Sequence, residues 1–192
     1  MATTNNKDYF KKMKLLRSHG ITREKRNLRK KNFGFWYYEK KFLGFNYRMT
    51  EMSAALGISQ MRRIKKFISK RRALALRYNM LLDKEKLFLP NIKDISNSTV
   101  HLYIIRIKKK LDIYSYNKFF SLLRKNKIGV NLHYLPISSL INSNGKNIKN
   151  LLPNSYKYSQ SSFSIPLYYD LKFKDQIKIA KKINFLLRRV KI

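Results

Sequence analysis

The feature that most constrains this chain is a change of texture at Pro90. Before it, from Thr50 to about Leu82, the apolar residues Met52, Ala55, Leu56, Met61, Ile64, Ile68, Leu74, Tyr78 and Leu81 trace a helical stripe. Thr50 suits the cap of that helix, and Glu51 suits its positive end. Gly57 falls inside the block, where glycine costs about 1 kcal/mol, so the block reads as two helices or one bent helix. Pro90 and the polar run Asn91 to Ser98 read as a linker. Beyond it Val100 to Ile107 predicts a strand, Tyr114 to Asn126 a helix and Ile128 to Leu132 a second strand. His133 to Asn154 reads as a loop, Ser155 to Ser161 as a short helix and Phe163 to Pro166 as a third strand. Phe173 to Val190 closes as an amphipathic helix with Ile177, Ala180, Ile183, Phe185, Leu186 and Leu187 inward. The later half is thus β-α-β-loop-β-α, a small α+β layer of strands backed by helices. The earlier half is helical and by itself leaves a large apolar face unpaired.

Upstream, Met1 to Thr4 reads as the end of a strand. Asn6 can cap a helix from about Lys7 to Ser18, and Gly20 supplies its stop. Thr22 to Phe42 is polar, basic and aromatic with little period, which predicts a long surface loop. Loops of that length are uncommon and are often functional. The expected organisation is 1–50, 51–90 and 91–192.

Charge needs separate treatment. Lys plus Arg number 44 against 10 Asp plus Glu, a net charge of +34, where soluble domains usually carry about 2–8. Dense cations suit phosphate neutralisation. However, Lys, Asn, Ile, Tyr and Phe are abundant together, all with AT-rich codons, and the cations occur in every segment. Biased composition therefore accounts for the charge, and no specific nucleic acid is expected as partner. The 13 Tyr and 12 Phe argue against disorder. Cysteine is absent, which removes thiolate chemistry and disulfides. No run of 18 apolar residues is present and Met1 to Lys12 holds no apolar signal core, so a cytoplasmic protein without membrane association is expected.

Generic chemical signatures are missing. No glycine-rich phosphate loop occurs. His19, His101 and His133 are too scattered to suggest a metal site, and no G-x-S-x-G elbow appears. Local strings are more informative. They are Leu15-Leu16-Arg17-Ser18-His19-Gly20, then Trp36-Tyr37-Tyr38-Glu39, then Leu43-Gly44-Phe45-Asn46-Tyr47-Arg48-Met49-Thr50-Glu51-Met52 with Ala54-Ala55-Leu56-Gly57. Gly129-Val130-Asn131-Leu132-His133-Tyr134-Leu135-Pro136 and Ser164-Ile165-Pro166-Leu167 follow. In this order they resemble the DegT/StrS-type sugar-nucleotide aminotransferases, across essentially the whole chain. The nearest branch acts on a UDP-linked 4-keto sugar in pseudaminic acid synthesis.

That resemblance implies an α/β fold, the C-terminal portion of the type I pyridoxal-phosphate transferase fold. It implies pyridoxal 5'-phosphate as cofactor, an amino-acid donor, a UDP-linked 4-keto sugar and a homodimer or a full-length homologue as partner. Met1-Ala2-Thr3-Thr4 resembles the strand that follows the Schiff-base lysine in the family, so that lysine is expected upstream of residue 1. Lys7 is expected to be solvated, and no catalytic residue is expected here. Asn46 corresponds to an asparagine that reaches a neighbour's cofactor phosphate; otherwise it is a turn residue. Arg48 either supports that loop, meets nucleotide phosphate or makes a surface ion pair. His133 and Tyr134 correspond to sugar-nucleotide contacts; the alternative is a strand end with a buried Tyr. His19 is a substrate contact or complements a helix end. Trp36, Tyr37 and Tyr38 wall the substrate pocket or pin the loop. Ile137-Ser138-Ser139-Leu140-Ile141-Asn142 departs from the family pattern, which loosens the assignment of the sugar.

Three functions follow. The first is part of a sugar aminotransferase that is inactive alone. The second is a non-catalytic partner subunit, and the third is a basic nucleic-acid-binding protein.

Overall fold

A computed structural model of the chain describes residues 2–30, 34–140 and 152–189. The chain divides into two compact units, residues 1–62 and 63–192.

The first unit opens with helix α1 (Lys7–Leu16). Asn6 caps it as expected, its side chain accepting from the backbone N–H groups of Asp8 and Tyr9. The helix ends two residues earlier than its sequence predicts, because Gly20 folds its N–H back onto the Leu15 carbonyl. The long basic stretch is not wholly irregular. Strand β1 (Ile21–Thr22) pairs antiparallel with β2 (Glu39–Lys40), and a single 3-10 turn covers Lys25–Asn27. Residues 31–33 lie outside the described residues.

Helix α2 (Glu51–Leu81) runs through Gly57 without interruption. A Cβ at Gly57 would meet nothing, so the position is open, and strong helix formers flank it. Of the two expected alternatives, two helices or one, the chain therefore forms one. The apolar stripe of α2 is buried only toward its end, at Leu74, Ala75 and Tyr78; Met52, Leu56 and Met61 are exposed.

The second unit holds a three-stranded antiparallel sheet of β3 (Leu87–Phe88), β4 (Tyr103–Ile107) and β5 (Ser162–Ile165), in the order β3-β4-β5. Two sequence expectations change here. The run Asn91 to Ser98 is not a linker: Asn91 caps helix α3 (Ile92–Asn97), accepting from the Asp94 N–H, and Ile95 is buried. Ile128 to Leu132 forms no strand. Only Asn131 pairs, in an isolated bridge to Ser164, while Ile128 and Val130 are buried by packing. The third strand of the sheet is instead the two-residue β3.

Helices α4 (Ile113–Lys125) and α7 (Phe173–Arg189) pack with the sheet into one core. Phe119 and Leu123 of α4, Ile183 and Leu187 of α7, and Phe163 of β5 all belong to it. Phe185, expected inward, is exposed, with Lys182 stacked 5.5 Å over its ring. Gln176 takes a buried place instead and donates to the Leu74 carbonyl at 2.6 Å. Asn184 ties the end of α2, accepting from the Asp83 N–H and donating to the Leu81 carbonyl. Short helices α5 (Ile137–Leu140) and α6 (Pro153–Ser159) flank residues 141–151, which are outside the described residues and include Ile141 and Asn142. Among the described residues no helix is long and apolar enough to cross a membrane.

Candidate functional site

The first unit assembles three of the five candidate residues. The chain leaves α1 through His19 and Gly20, both with positive φ (61° and 70°). It returns past Gly44, where a Cβ would strike the backbone nitrogen of Gly20. This close approach, open only to glycine, lays residues 45–47 against residues 16–19. The Phe45 N–H donates to the Leu16 carbonyl at 2.7 Å, the His19 N–H to the Phe45 carbonyl at 2.8 Å and the Tyr47 N–H to the Arg17 carbonyl at 2.9 Å. Ser18 and Asn46 pair directly.

The side chains of His19, Asn46 and Arg48 consequently meet. Arg48 Nε donates to Asn46 Oδ1 at 3.3 Å, and Arg48 Nη2 lies 3.4 Å from His19 Nε2. Asn46 and Arg48 are exposed and His19 is half-buried. The His19 N–H bonds the Phe45 carbonyl, and Arg48 bonds Asn46 two residues before it.

The aromatic trio separates. Trp36 and Tyr38 are exposed, and Arg23 sits 5.5 Å over the Tyr38 ring. Tyr37 is half-buried and donates to Glu39 Oε1 at 3.0 Å. Glu39 organises this segment and was not singled out from sequence. Its carboxylate accepts from Lys41 Nζ at 2.6 Å, from the Arg29 backbone N–H at 2.6 Å and from Tyr37. The Lys41 ammonium pulls its pKa down to about 2 against the opposing cost of desolvation, helped by the Arg29 N–H and the Tyr37 hydroxyl. Glu24 acts similarly: Arg26 and then Lys14 hold its carboxyl below the usual range. The available signal was scarcity, since a lone acid within a basic stretch gathers its neighbours.

A groove of about 1090 Å³ in this unit is lined by Lys7, Lys11, Lys14, Arg17, Arg26 and Lys41 among others. Glu24 is the acid on its wall.

The second unit holds His133 and Tyr134, whose rings meet edge to face at 4.8 Å. Tyr134 is exposed, so it is not the buried strand-end tyrosine that the sequence left open. His133 is half-buried, and its Nδ1 atom is buried with no hydrogen-bond partner among the described residues. Among the described residues no group of three or more metal-ligating side chains is placed to hold an ion.

The chain is 30% identical over 189 residues to a UDP-4-amino-4,6-dideoxy-N-acetyl-beta-L-altrosamine transaminase from Campylobacter jejuni, covering 98% of this chain and 48% of that protein. It is likewise 30% identical over 187 residues to an uncharacterized protein of Methanocaldococcus jannaschii, covering 96% of this chain and 48% of the relative. Among solved structures, Helicobacter pylori PseC, an aminotransferase involved in pseudoaminic acid biosynthesis, is similar with TM-score 0.76 and 26% identity, over 97% of this chain and 48% of that one. A putative sugar aminotransferase from Streptococcus pneumoniae in its PMP-form has TM-score 0.82 at 21% identity, over 97% of this chain and 47% of that one, and shows the fold; the same protein is also known in a PLP-form. The chain thus spans about half the length of the relatives it matches, and its fold is the corresponding part of the α/β type I pyridoxal-phosphate transferase fold. The model of the DegT/DnrJ/EryC1/StrS aminotransferase family matches residues 1–184, and the chain belongs to that family of pyridoxal-phosphate sugar aminotransferases.

Proposed function

We propose that the chain is the C-terminal part of an aminotransferase that moves an amino group from an amino acid to a 4-keto nucleotide sugar, for surface polysaccharide or flagellin glycan synthesis. The observation that carries this is the family match over residues 1–184. Pyridoxal phosphate supplies the electron sink when bound. The residues present fit only one end of it. Asn46 turns its amide oxygen to Arg48, which leaves amide N–H donors for a phosphate oxygen and a cation beside them. His133 Nδ1 is a buried polar atom awaiting a partner, and Tyr134 offers an exposed ring, both suited to a sugar nucleotide.

The other end has no match. Holding the aldehyde takes a lysine whose amine is desolvated enough to lose its proton. Among the described residues no lysine side chain is buried, and Lys7 is exposed on α1. With no such lysine among the described residues, we infer that this chain does not turn over alone and that the amine is supplied by polypeptide corresponding to the other half of the relatives. That polypeptide belongs to the same protein or to a partner for which this chain acts as a non-catalytic subunit. The exposed apolar surface of the first unit favours such a covering in either case.

A chimera tests this. Joining the unmatched half of the C. jejuni transaminase to the start of residues 1–192 should restore amination of a UDP-linked 4-keto sugar. Asn46→Ala in the chimera should weaken cofactor binding about ten-fold, the loss of one hydrogen bond to a charged group. A folded, cofactor-loaded chimera that aminates no nucleotide sugar would remove the proposal.

A further inference from the structure

We propose that His19 is a positioning residue: through Arg48 it fixes the side-chain amide of Asn46 with its NH₂ group turned outward. The argument uses only donors and acceptors. A guanidinium has five N–H donors and no acceptor. Whatever faces it must therefore present a lone pair. Asn46 lies 3.3 Å from Arg48 Nε, so its amide turns the oxygen inward and the two N–H donors away. His19 Nε2 lies 3.4 Å from Arg48 Nη2, so that nitrogen carries the lone pair and the ring proton sits on Nδ1. Both contacts are at the long end of the hydrogen-bond range, and each places a distinct nitrogen of one planar group. Arg48 is thus held at two points, and a planar fork held at two points has little freedom left to swing.

The backbone explains why His19 is available for this. Its position in the left-handed region (φ 61°), followed by Gly20, turns the chain out of α1. Its N–H is tied to the Phe45 carbonyl, one residue before Asn46. The same crossing that brings the two strings together therefore sets the ring beside Arg48. A second sequence string, distant from Asn46 in the chain, decides which face of the Asn46 amide points outward. His19 is in this account not a substrate contact. The consequence for an anion rests on the proposed phosphate role of Asn46; the orientation itself does not.

Two readouts on the ¹⁵N-labelled chain separate these. The first is the order parameter of the Asn46 side-chain NH₂ group. It should be close to that of ordered backbone, roughly 0.8, and fall below about 0.6 in His19→Asn and in Arg48→Met. Asparagine tolerates positive φ, so His19→Asn keeps the turn and removes only the reach to Arg48. Unchanged amide resonances of Gly20 and Gly44 report that the crossing is intact. A mobile Asn46 amide in the unsubstituted chain, or an ordered one in both variants, overturns the proposal. The second readout is titration with inorganic phosphate, followed at the Asn46 NH₂ protons. Apparent affinity should fall about five-fold in His19→Asn, where the hydrogen bond to the anion loses its set orientation, and further in Arg48→Met, which also removes a cation beside it. Equal affinity in all three chains also counts against the positioning role. An ordered amide that phosphate does not shift would support the positioning and sink the phosphate role of Asn46 instead.

Discussion

Residues 63–192 and residues 1–62 draw on the same aromatic and aliphatic vocabulary and use it in opposite ways. In the later unit Tyr78, Tyr103, Phe119 and Phe163 are fully enclosed, and the four helices α2, α3, α4 and α7 share one core with the sheet. In the earlier unit Leu28 is the one hydrophobic side chain among the described residues that is buried, while Phe35 is 95% and Leu43 81% exposed. Residues 1–62 thus gain little from apolar burial against the conformational entropy of ordering the chain. What order residues 1–62 have comes from backbone crossings at Gly20 and Gly44 and from carboxylates that gather cations. The comparison teaches that the later unit is held by a core of its own, whereas the earlier one leaves most of its large apolar side chains exposed.

The sharpest way to break that contrast is a pair of truncations. Phe163→Ala should cost about 3–5 kcal/mol, because it empties a packed core position. Leu43→Ala in the same chain should stay within about 0.5 kcal/mol, as for exposed positions generally. Urea unfolding of both variants checks this, and equal losses would mean the earlier unit has a core of its own. A smaller effect sharpens the later unit. Tyr116→Phe removes the donor to the Ser162 carbonyl, a bond of 2.7 Å, and should cost about 1–2 kcal/mol in the same assay. Burial raises the Tyr116 phenol to about 12. The folded form therefore keeps that proton above pH 10 while the unfolded form loses it, so stability should fall as pH rises past 10.

The smallest effect belongs to Glu39. Its folded pKa of about 2 lies below its ordinary value of 4.5. The contribution is complete above the ordinary value and is lost as pH falls through the folded one. The Arg29 amide proton should accordingly shift between about pH 4 and 2 in a proton NMR titration, since it donates to Glu39 at 2.6 Å. Glu39→Gln should abolish that step without changing the urea midpoint of residues 63–192.

How far these features could be read from residues alone follows the physics of each. Helices α1, α4 and α7 were legible because their apolar period is repeated over several turns and Asn6 and the final stripe mark their ends. Leu87–Phe88 was not, since two residues carry no period, and Ile128 to Leu132 misled because buried β-branched residues look alike whether packed or paired. Phe185 misled because it is apolar although its helical phase lies roughly opposite the buried stripe of Gln176, Ala180, Ile183 and Leu187. At the candidate site the glycines and Asn46 were readable from their strings. The meeting of His19 with Arg48 was not, because it depends on a crossing between distant segments.

The proposed function rests on Asn46 offering donors for the phosphate end of the cofactor, while among the described residues no buried lysine stands ready for its aldehyde. Borohydride reduction of the purified chain in the presence of pyridoxal 5'-phosphate, followed by peptide mass spectrometry, tests it most directly. The account predicts scattered, substoichiometric labelling of exposed lysines and no turnover. One lysine labelled to completion, in a sample that aminates a nucleotide sugar, would contradict it.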